Sequence, residues 1–392
     1  MNPLDPRRRS PIVSHASLSR EAFPALTTND YIYLNSCASG PPPYAVIEAM
    51  RSADDICSGQ AYLEGAGLYA RQAAVATRAR EAAALLINTD PDSVALTQNT
   101  THGMNLGFAS IDWLKSDEVI SSTTEHPGCL VPLHNLHRRF GVEPTLIQPP
   151  VTAEKVEAAM GPRTRLVALS HVDWTSGETL PLEEICARAR ERGVTTLIDG
   201  AQSVGNIPVD TAALGADMYA FTGHKWALGP EGMGALYVRP ECDLPSTNVG
   251  NASLPDPAAF DARGGYELRT DARRFEASTM SPVLAAGFAA AVEAVHERGE
   301  AGFEGIRHRA EVLMDLLSAI PRVTLRSPRP AQSGLVSFEL EGLAASEATE
   351  RLLEKRFVLR YIRGPRSFIR ASTHLFNTEE EIDALAKAVS GL

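Results

Sequence analysis

The sequence predicts an α/β protein: a large domain with a mostly parallel sheet, followed by a small α+β C-terminal domain. Three observations carry this. Short apolar runs alternate with amphipathic stretches through residues 31–283, several of those runs end directly in polar side chains, and the texture changes after residue 283. Alternation of this kind is the pattern of repeated strand–helix–strand units with helices on both faces of the sheet. A chain of 392 residues suits two domains of ordinary size. The divisions read as an N-terminal arm at 1–30, a large domain at 31–283 and a small domain at 284–392, with the arm packed on the small domain.

Each element has its own signal. Arg71–Leu86 is Ala-rich with charges on one side and reads as a helix. Ser93–Leu96 is a short strand, followed by the polar turn from Gln98 to Thr101 and a helix from about His102. Glu118–Ser121 and Leu166–Ser170 have the composition of buried strands. Glu183–Arg192 is amphipathic, and Thr195–Ile198 is a β-branched run that stops at Asp199. Met218–Phe221 and Gly234–Val238 are further strands. Then come helices at about 282–298 and 302–318, strands at Val323–Arg326 and Leu335–Leu340, and a helix near 345–355. Val358–Ile362 and Phe368–Ala371 are strands, and Thr378 with Glu381 forms a capping-box signature for a last helix from about 379.

Composition narrows the function. The charge sum is 37 − 48 = −11, without long single-sign runs, which argues against a nucleic-acid or membrane-surface partner. The most apolar stretch, Leu284 to Val295, is about 12 residues long, too short for a bilayer. The first residues are polar and proline-broken and do not read as a secretory signal. Five scattered cysteines (Cys37, Cys57, Cys129, Cys186, Cys242) with no C-x-x-C spacing argue against a disulfide framework or a zinc site. No metal is expected, and a cytoplasmic location fits.

Four stretches carry chemistry. In Asp199-Gly-Ala-Gln202 and, 26 residues after Asp199, in Thr222-Gly-His224-Lys225-Trp226, an apolar strand runs straight into reactive side chains. Ligands bind at the carboxyl ends of strands in open parallel sheets, so Asp199 and Lys225 can face one crevice. A lysine in a partly buried site loses its charge readily and can form a Schiff base. Thr100 and Thr101 offer hydroxyls and backbone N–H groups to an anion, although taken alone each reads first as an ordinary helix cap. His126 follows another strand, and Arg370 sits inside a β-like run where a guanidinium needs a carboxylate from the protein or from a ligand.

Together these motifs resemble the class V branch of fold-type I pyridoxal-phosphate (PLP) enzymes, which includes cysteine desulfurases, C–S lyases, kynureninases and isopenicillin-N-epimerase-like proteins. The likeness runs from about Tyr33 to Asp383, with Asp-Gly-Ala-Gln, Gly-His-Lys and Arg-x-Ser-Thr-His-x-x-Asn-Thr in the family's order. The resemblance implies the fold-type I transferase fold and PLP as cofactor. It makes Lys225 the lysine that carries the cofactor and His126 the imidazole stacked on its ring. Asp199 is then the partner of the ring nitrogen and Gln202 that of the phenolic oxygen. Thr100, Thr101, Thr222 and His224 become phosphate contacts, and Thr279 the contact that reaches the other subunit of a homodimer. Arg370 becomes the fork for the α-carboxylate of an amino-acid substrate.

Two departures shape the expected activity. Desulfurases carry a nucleophilic cysteine in the loop before the arginine motif, whereas residues 360–368 here contain none. Trp174 stands where desulfurases usually have asparagine. Both features are nearer the C–S lyase and epimerase-like subgroup. The expectation is therefore β-elimination from L-cysteine, cystine or an S-substituted cysteine, with antibiotic biosynthesis as one setting. Desulfurase, epimerase, transaminase and decarboxylating oxidative deaminase are the alternatives. Arg363 and Arg366 beside the site read first as solvated loop charges and otherwise as a sign of a substrate larger or more anionic than cysteine.

Overall fold

The computed structural model describes residues 18–59, 66–256, 258, 260–364 and 367–392, so the first 17 residues of the expected arm and Arg366 lie outside the described residues. In chain order the strands are β1 (Ile32–Tyr33), β2 (Val94–Thr97), β3 (Glu118–Ser122), β4 (Glu143–Ile147), β5 (Thr164–Ser170), β6 (Thr195–Asp199) and β7 (Met218–Thr222). They continue with β8 (Gly234–Val238), β9 (Val323–Leu325), β10 (Leu335–Leu340), β11 (Phe357–Val358), β12 (Arg360–Ile362) and β13 (Phe368–Ser372). The helices are α1 (Pro24–Thr27), α2 (Tyr44–Ser58), α3 (Ala66–Leu86), α4 (Thr100–Ala109), α5 (Pro127–Phe140) and α6 (Ala153–Ala159). After them come α7 (Leu182–Glu191), α8 (Thr211–Leu214), α9 (Pro282–Ser318), α10 (Ala345–Glu354) and α11 (Glu379–Ser390).

Seven strands form the large sheet in the order β2-β8-β7-β6-β5-β3-β4, parallel except for β8, which runs against both β2 and β7. Successive side chains point to opposite faces, and both faces are covered. In β5, Leu166 and Ala168 enter one core with Met104 of α4 and Leu133 of α5. Val167 and Leu169 enter the other, with Ala82 of α3, Ile185 of α7 and Val292 of α9. Hence the central strands read as apolar runs rather than alternating ones. The edge strand β4 contains Pro144 and is only half buried, and α5 contains Pro132; the sequence reading passed over both elements.

The second sheet is antiparallel, β12-β13-β10-β9, and α9, α10 and α11 bury Leu313, Leu352 and Leu385 against Phe338 and Ile369. The two helices expected at 282–298 and 302–318 form the two segments of α9, which meet at Gly299, whose φ of 52° and ψ of −146° are not helical. At the start of α11 the Thr378 hydroxyl accepts the Glu381 N–H (3.2 Å) while the Glu381 carboxylate accepts the Thr378 N–H (3.3 Å), closing the expected capping box.

The N-terminal segment ties the two halves together. Leu18, Phe23 and Leu26 pack with Leu228 and Phe376, and Arg20 pairs with Glu381 at 2.7 Å. Strand β1 lies parallel to β11, after which residues 35–40 cross to the carboxyl edge of the large sheet, where the Gly40 N–H donates to the His224 carbonyl at 2.7 Å. A Cβ on Gly40 would sit 2.1 Å from the Lys225 carbonyl oxygen, so only glycine lets this crossing lie so close. Among the described residues no helix is long and apolar enough to cross a membrane.

Candidate active site

Parallel strands carry their carboxyl ends to one edge, and the turns after β2, β3, β5, β6 and β7 surround a cavity of about 510 Å³ there. Lys225, Asp199, Gln202, His126, Thr100 and Thr101 all line it, with Thr222, His224 and Arg370. Nine of the ten residues singled out in the sequence thus meet in one place. Thr279 lies elsewhere, in the wall of a second cavity beside Arg80 and Glu276.

Asp199 is buried at the end of β6, with one carboxylate oxygen accepting the Ala201 N–H at 2.9 Å. Burial pushes its pKa up, against the pull of that N–H and of Lys225. Burial likewise pushes the Lys225 ammonium down, against the attraction of Asp199. Among the described residues the Lys225 amine has no hydrogen-bond partner. The turn beneath is held by a buried chain in which the Tyr219 hydroxyl meets His171 Nδ1 (2.9 Å) and the Ser203 hydroxyl. A Cβ on Gly200 would come 2.2 Å from the Tyr219 ring, which fixes glycine between Asp199 and Gln202. Gln202 is committed at both ends, accepting from Trp226 Nε1 at 2.8 Å and donating to the Cys37 carbonyl at 3.0 Å, so one amide N–H remains for a ligand.

At the other end Asn99, not a threonine, caps α4, its side chain accepting the His102 N–H at 2.9 Å. The helix therefore starts two residues before the expected His102, and the Thr100 and Thr101 hydroxyls are not spent on capping. The buried Thr100 Oγ1 has no partner. The Thr222 hydroxyl pairs with His224 Nδ1 at 2.6 Å. His126 caps α5 through Nδ1, which accepts the Gly128 N–H at 3.0 Å, and meets the Trp174 ring edge-on at 5.1 Å. Burial, with Lys225, Arg370 and Arg360 nearby, drops its pKa to about 4, so the ring is neutral. The preceding residue, Glu125, is a buried carboxyl raised to about 7 by burial and bound by Ser122 and Ser170.

Arg370 on β13 is 1% exposed, and among the described residues no carboxylate of the chain pairs with it. Its Nη1 donates to the Trp174 carbonyl at 2.5 Å, the guanidinium lies 5.5 Å from the Trp174 ring centre, and Nε is buried without a partner. Two cavity residues escaped the sequence reading. Cys37 lies in the wall, and Arg360 pairs in register with Arg370 across β12 and β13. Arg363, expected beside the site, instead folds back on Tyr361, with Nη2 donating to that hydroxyl at 2.9 Å. β-alternation was the available signal, since one residue in two of β12 shares a face with Arg370.

Residues 32–385 match the aminotransferase class-V family. The chain belongs to that family. Its PLP-dependent members include the group of cysteine desulfurases and C–S lyases, and this class-V enzyme is a PLP-dependent lyase or transferase of that kind. It is 35% identical over 339 residues to isopenicillin N epimerase from Streptomyces clavuligerus, covering 80% of this chain and 84% of the relative. It is 29% identical to cysteine desulfurase CsdA from Escherichia coli, covering 94% and 96%. Among solved structures, a complex of the cystine C–S lyase C-DES with cysteine persulfide superimposes with a TM-score of 0.85 at 32% identity, over 94% of this chain and 99% of that one.

The class-V cavity fits the cofactor chemically. An anion finds the first turn of α4 with the unpartnered Thr100 hydroxyl, a ring nitrogen finds the Asp199 carboxylate, and an aldehyde finds an amine whose pKa is lowered.

Proposed function

We propose that the protein is a C–S lyase, acting by β-elimination on L-cysteine, cystine or an S-substituted cysteine. The observation that carries this reading is the pair formed by a cavity with Arg360 beside Arg370 and a chain with no cysteine after Cys242. Without a cysteine in the segment before Arg370, sulfur leaves on the substrate's own substituent. The second guanidinium suits a substituent that is itself acidic, such as the far carboxylate of cystine.

Lys225 carries PLP, and Asp199 pairs with the ring nitrogen. Thr100, Thr101, Thr222 and His224 would hold the phosphate, while Gln202 would give its spare N–H to the phenolic oxygen and neutral His126 would cover the ring. Bound there, the cofactor supplies an electron sink for charge developing at Cα. Arg370 grips the α-carboxylate and so fixes which Cα bond is presented. Lys225 would remove the Cα proton. The β-sulfur departs as a thiol or persulfide, and hydrolysis leaves pyruvate and ammonia. Thr279 supports a homodimer in which this hydroxyl serves the other subunit's phosphate, and five free cysteines suit a cytoplasmic enzyme.

The test incubates the yellow, PLP-loaded protein with cysteine, cystine and S-alkylcysteines and follows thiol, sulfide and pyruvate. Pyruvate with thiol or persulfide is the expected outcome, and Lys225→Ala should lose turnover together with the borohydride-sensitive visible band. The likeness to isopenicillin N epimerase favours one second reading, return of the proton to the opposite face of Cα. Racemised substrate without pyruvate would select it.

A further inference from the structure

Trp174 joins parts of the cavity that belong to different elements. It follows β5 in a turn where Asp173 accepts the N–H groups of Thr175 (2.8 Å) and Ser176 (2.7 Å), so its backbone is set independently of its side chain. The indole Nε1 donates to the Thr124 carbonyl at 2.7 Å, and the ring meets the His126 imidazole edge-on at 5.1 Å. An indole has one N–H, so Trp174 offers the cavity an aromatic face and no donor. Arg370 uses that face: its guanidinium carbon lies 5.5 Å from the ring centre, and its Nη1 donates to the Trp174 carbonyl at 2.5 Å.

A buried guanidinium without an acidic partner is costly, and it swings toward any acceptor it can reach. Arg370 is 1% exposed, and among the described residues no carboxylate of the chain pairs with it. Trp174 holds it with both its carbonyl and its ring, and a cation on a desolvated indole face is the stronger form of that contact. Together they fix the position of the planar group and its plane, leaving the Nε edge, which has no partner, for a ligand. A forked grip on a carboxylate needs that plane to be right, because two parallel N–H groups must meet two oxygens at once.

We propose that Trp174 is a positioning residue, which sets the site's affinity for an α-carboxylate by holding the Arg370 guanidinium in its plane. The proposal rests on the reading of Arg370 as the carboxylate fork. The link also crosses the molecule, since Arg370 stands on β13 of the small sheet and Trp174 in the turn after β5 of the large one. His126 depends on it less, because its Nδ1 is separately held by the Gly128 N–H at 3.0 Å. Loss of the indole is therefore felt by the carboxylate more than by the cofactor.

The test titrates PLP-loaded protein with glycine and, separately, with glycinamide, which carries the same amine but an uncharged amide in place of the carboxylate. The change in visible absorption on binding gives each dissociation constant, so no turnover is needed. Trp174→Ala should weaken glycine about tenfold, and Trp174→Phe, which keeps a ring but not the tie to Thr124, by a smaller factor. Glycinamide should bind the parent and both variants with closely similar affinity. In an Arg370→Ala background, Trp174→Ala should add little to the loss of glycine affinity, because the two residues act as one unit. Equal weakening of both ligands, or full additivity in the double variant, overturns the proposal and leaves Trp174 as ordinary packing. Arg370→Ala that binds glycine as the parent does would overturn the fork itself. Selective loss of glycine affinity in Trp174→Ala, in a protein that releases no pyruvate, would sink the lyase reading and leave this one standing.

Discussion

Arg370 shows what a single side chain has to do here. Its guanidinium is anchored through Nη1 on the Trp174 carbonyl, leaving Nε and the rest of the fork for a carboxylate. Losing one charge-assisted bidentate contact costs on the order of 3 kcal/mol, about a hundredfold in kcat/KM. Arg370→Ala should therefore lower kcat/KM by about that factor while the cofactor's visible band stays in place, measured by pyruvate release. Arg370→Lys should recover little, because an ammonium cannot fork. At this scale the sequence was most legible where a reactive residue followed an apolar strand, as with Asp199 and Lys225. Arg360 was legible only through the alternation of β12, which sets it and Arg363, three residues on, on opposite sides but does not say which side faces the cavity. Only the register of β12 against β13 puts one opposite Arg370 and leaves the other stacked on Tyr361.

At the scale of the element, α4 shows how a cap can serve a ligand. Asn99 satisfies an N–H of the first turn with its own side chain, so the following threonines keep their hydroxyls. Asn99→Ala should cost about 1 kcal/mol of stability and weaken PLP retention. Thr100→Val should weaken retention with little loss of melting temperature, because its hydroxyl bonds nothing in the chain. Equilibrium dialysis of PLP beside thermal melting separates the two effects. Elements with a strong period, such as β10 and α11, were legible to within a residue or so. The edge strand with Pro144 and the helix with Pro132 were not, because proline lacks the backbone donor that a strand or helix interior ordinarily uses and so reads as a break.

At the scale of the whole molecule, buried titrating groups make stability depend on pH. The imidazoles of His171 and His374 are held neutral by burial, at about 4 and about 3. An unfolded chain takes up these two protons from about pH 6.5 downward, so stability present above that value is lost as pH falls toward 4. The Glu125 carboxyl, raised to about 7, acts in the opposite sense: its contribution is complete below 4.5 and lost as pH rises through 7. With His126, which also drops to about 4, three imidazoles outweigh the raised Glu125 and Asp199 carboxyls, so the melting temperature should fall between pH 6.5 and 4.5, a slope that His374→Gln should flatten in calorimetry. Assembly belongs to this scale as well. Thr279→Ala should weaken PLP binding although the residue lies outside the cavity of its own chain, and if the site is shared the loss should depend on self-association measured by ultracentrifugation. A fully active monomer would refute shared sites.

The crossing at residues 35–40 has a consequence for how the molecule is born. Strand β1 emerges early from the ribosome, but its partner β11 and the Ser372 that fixes Cys37 lie more than 300 residues later, Ser372 being 335 residues from Cys37. At ordinary rates of translation that interval lasts roughly twenty seconds to a minute. Throughout it the large sheet can close while one wall of its cavity is still missing. The nascent chain thus holds an exposed strand edge and an incomplete pocket until β11 and Ser372 arrive, and only then can the cofactor be gripped from all sides.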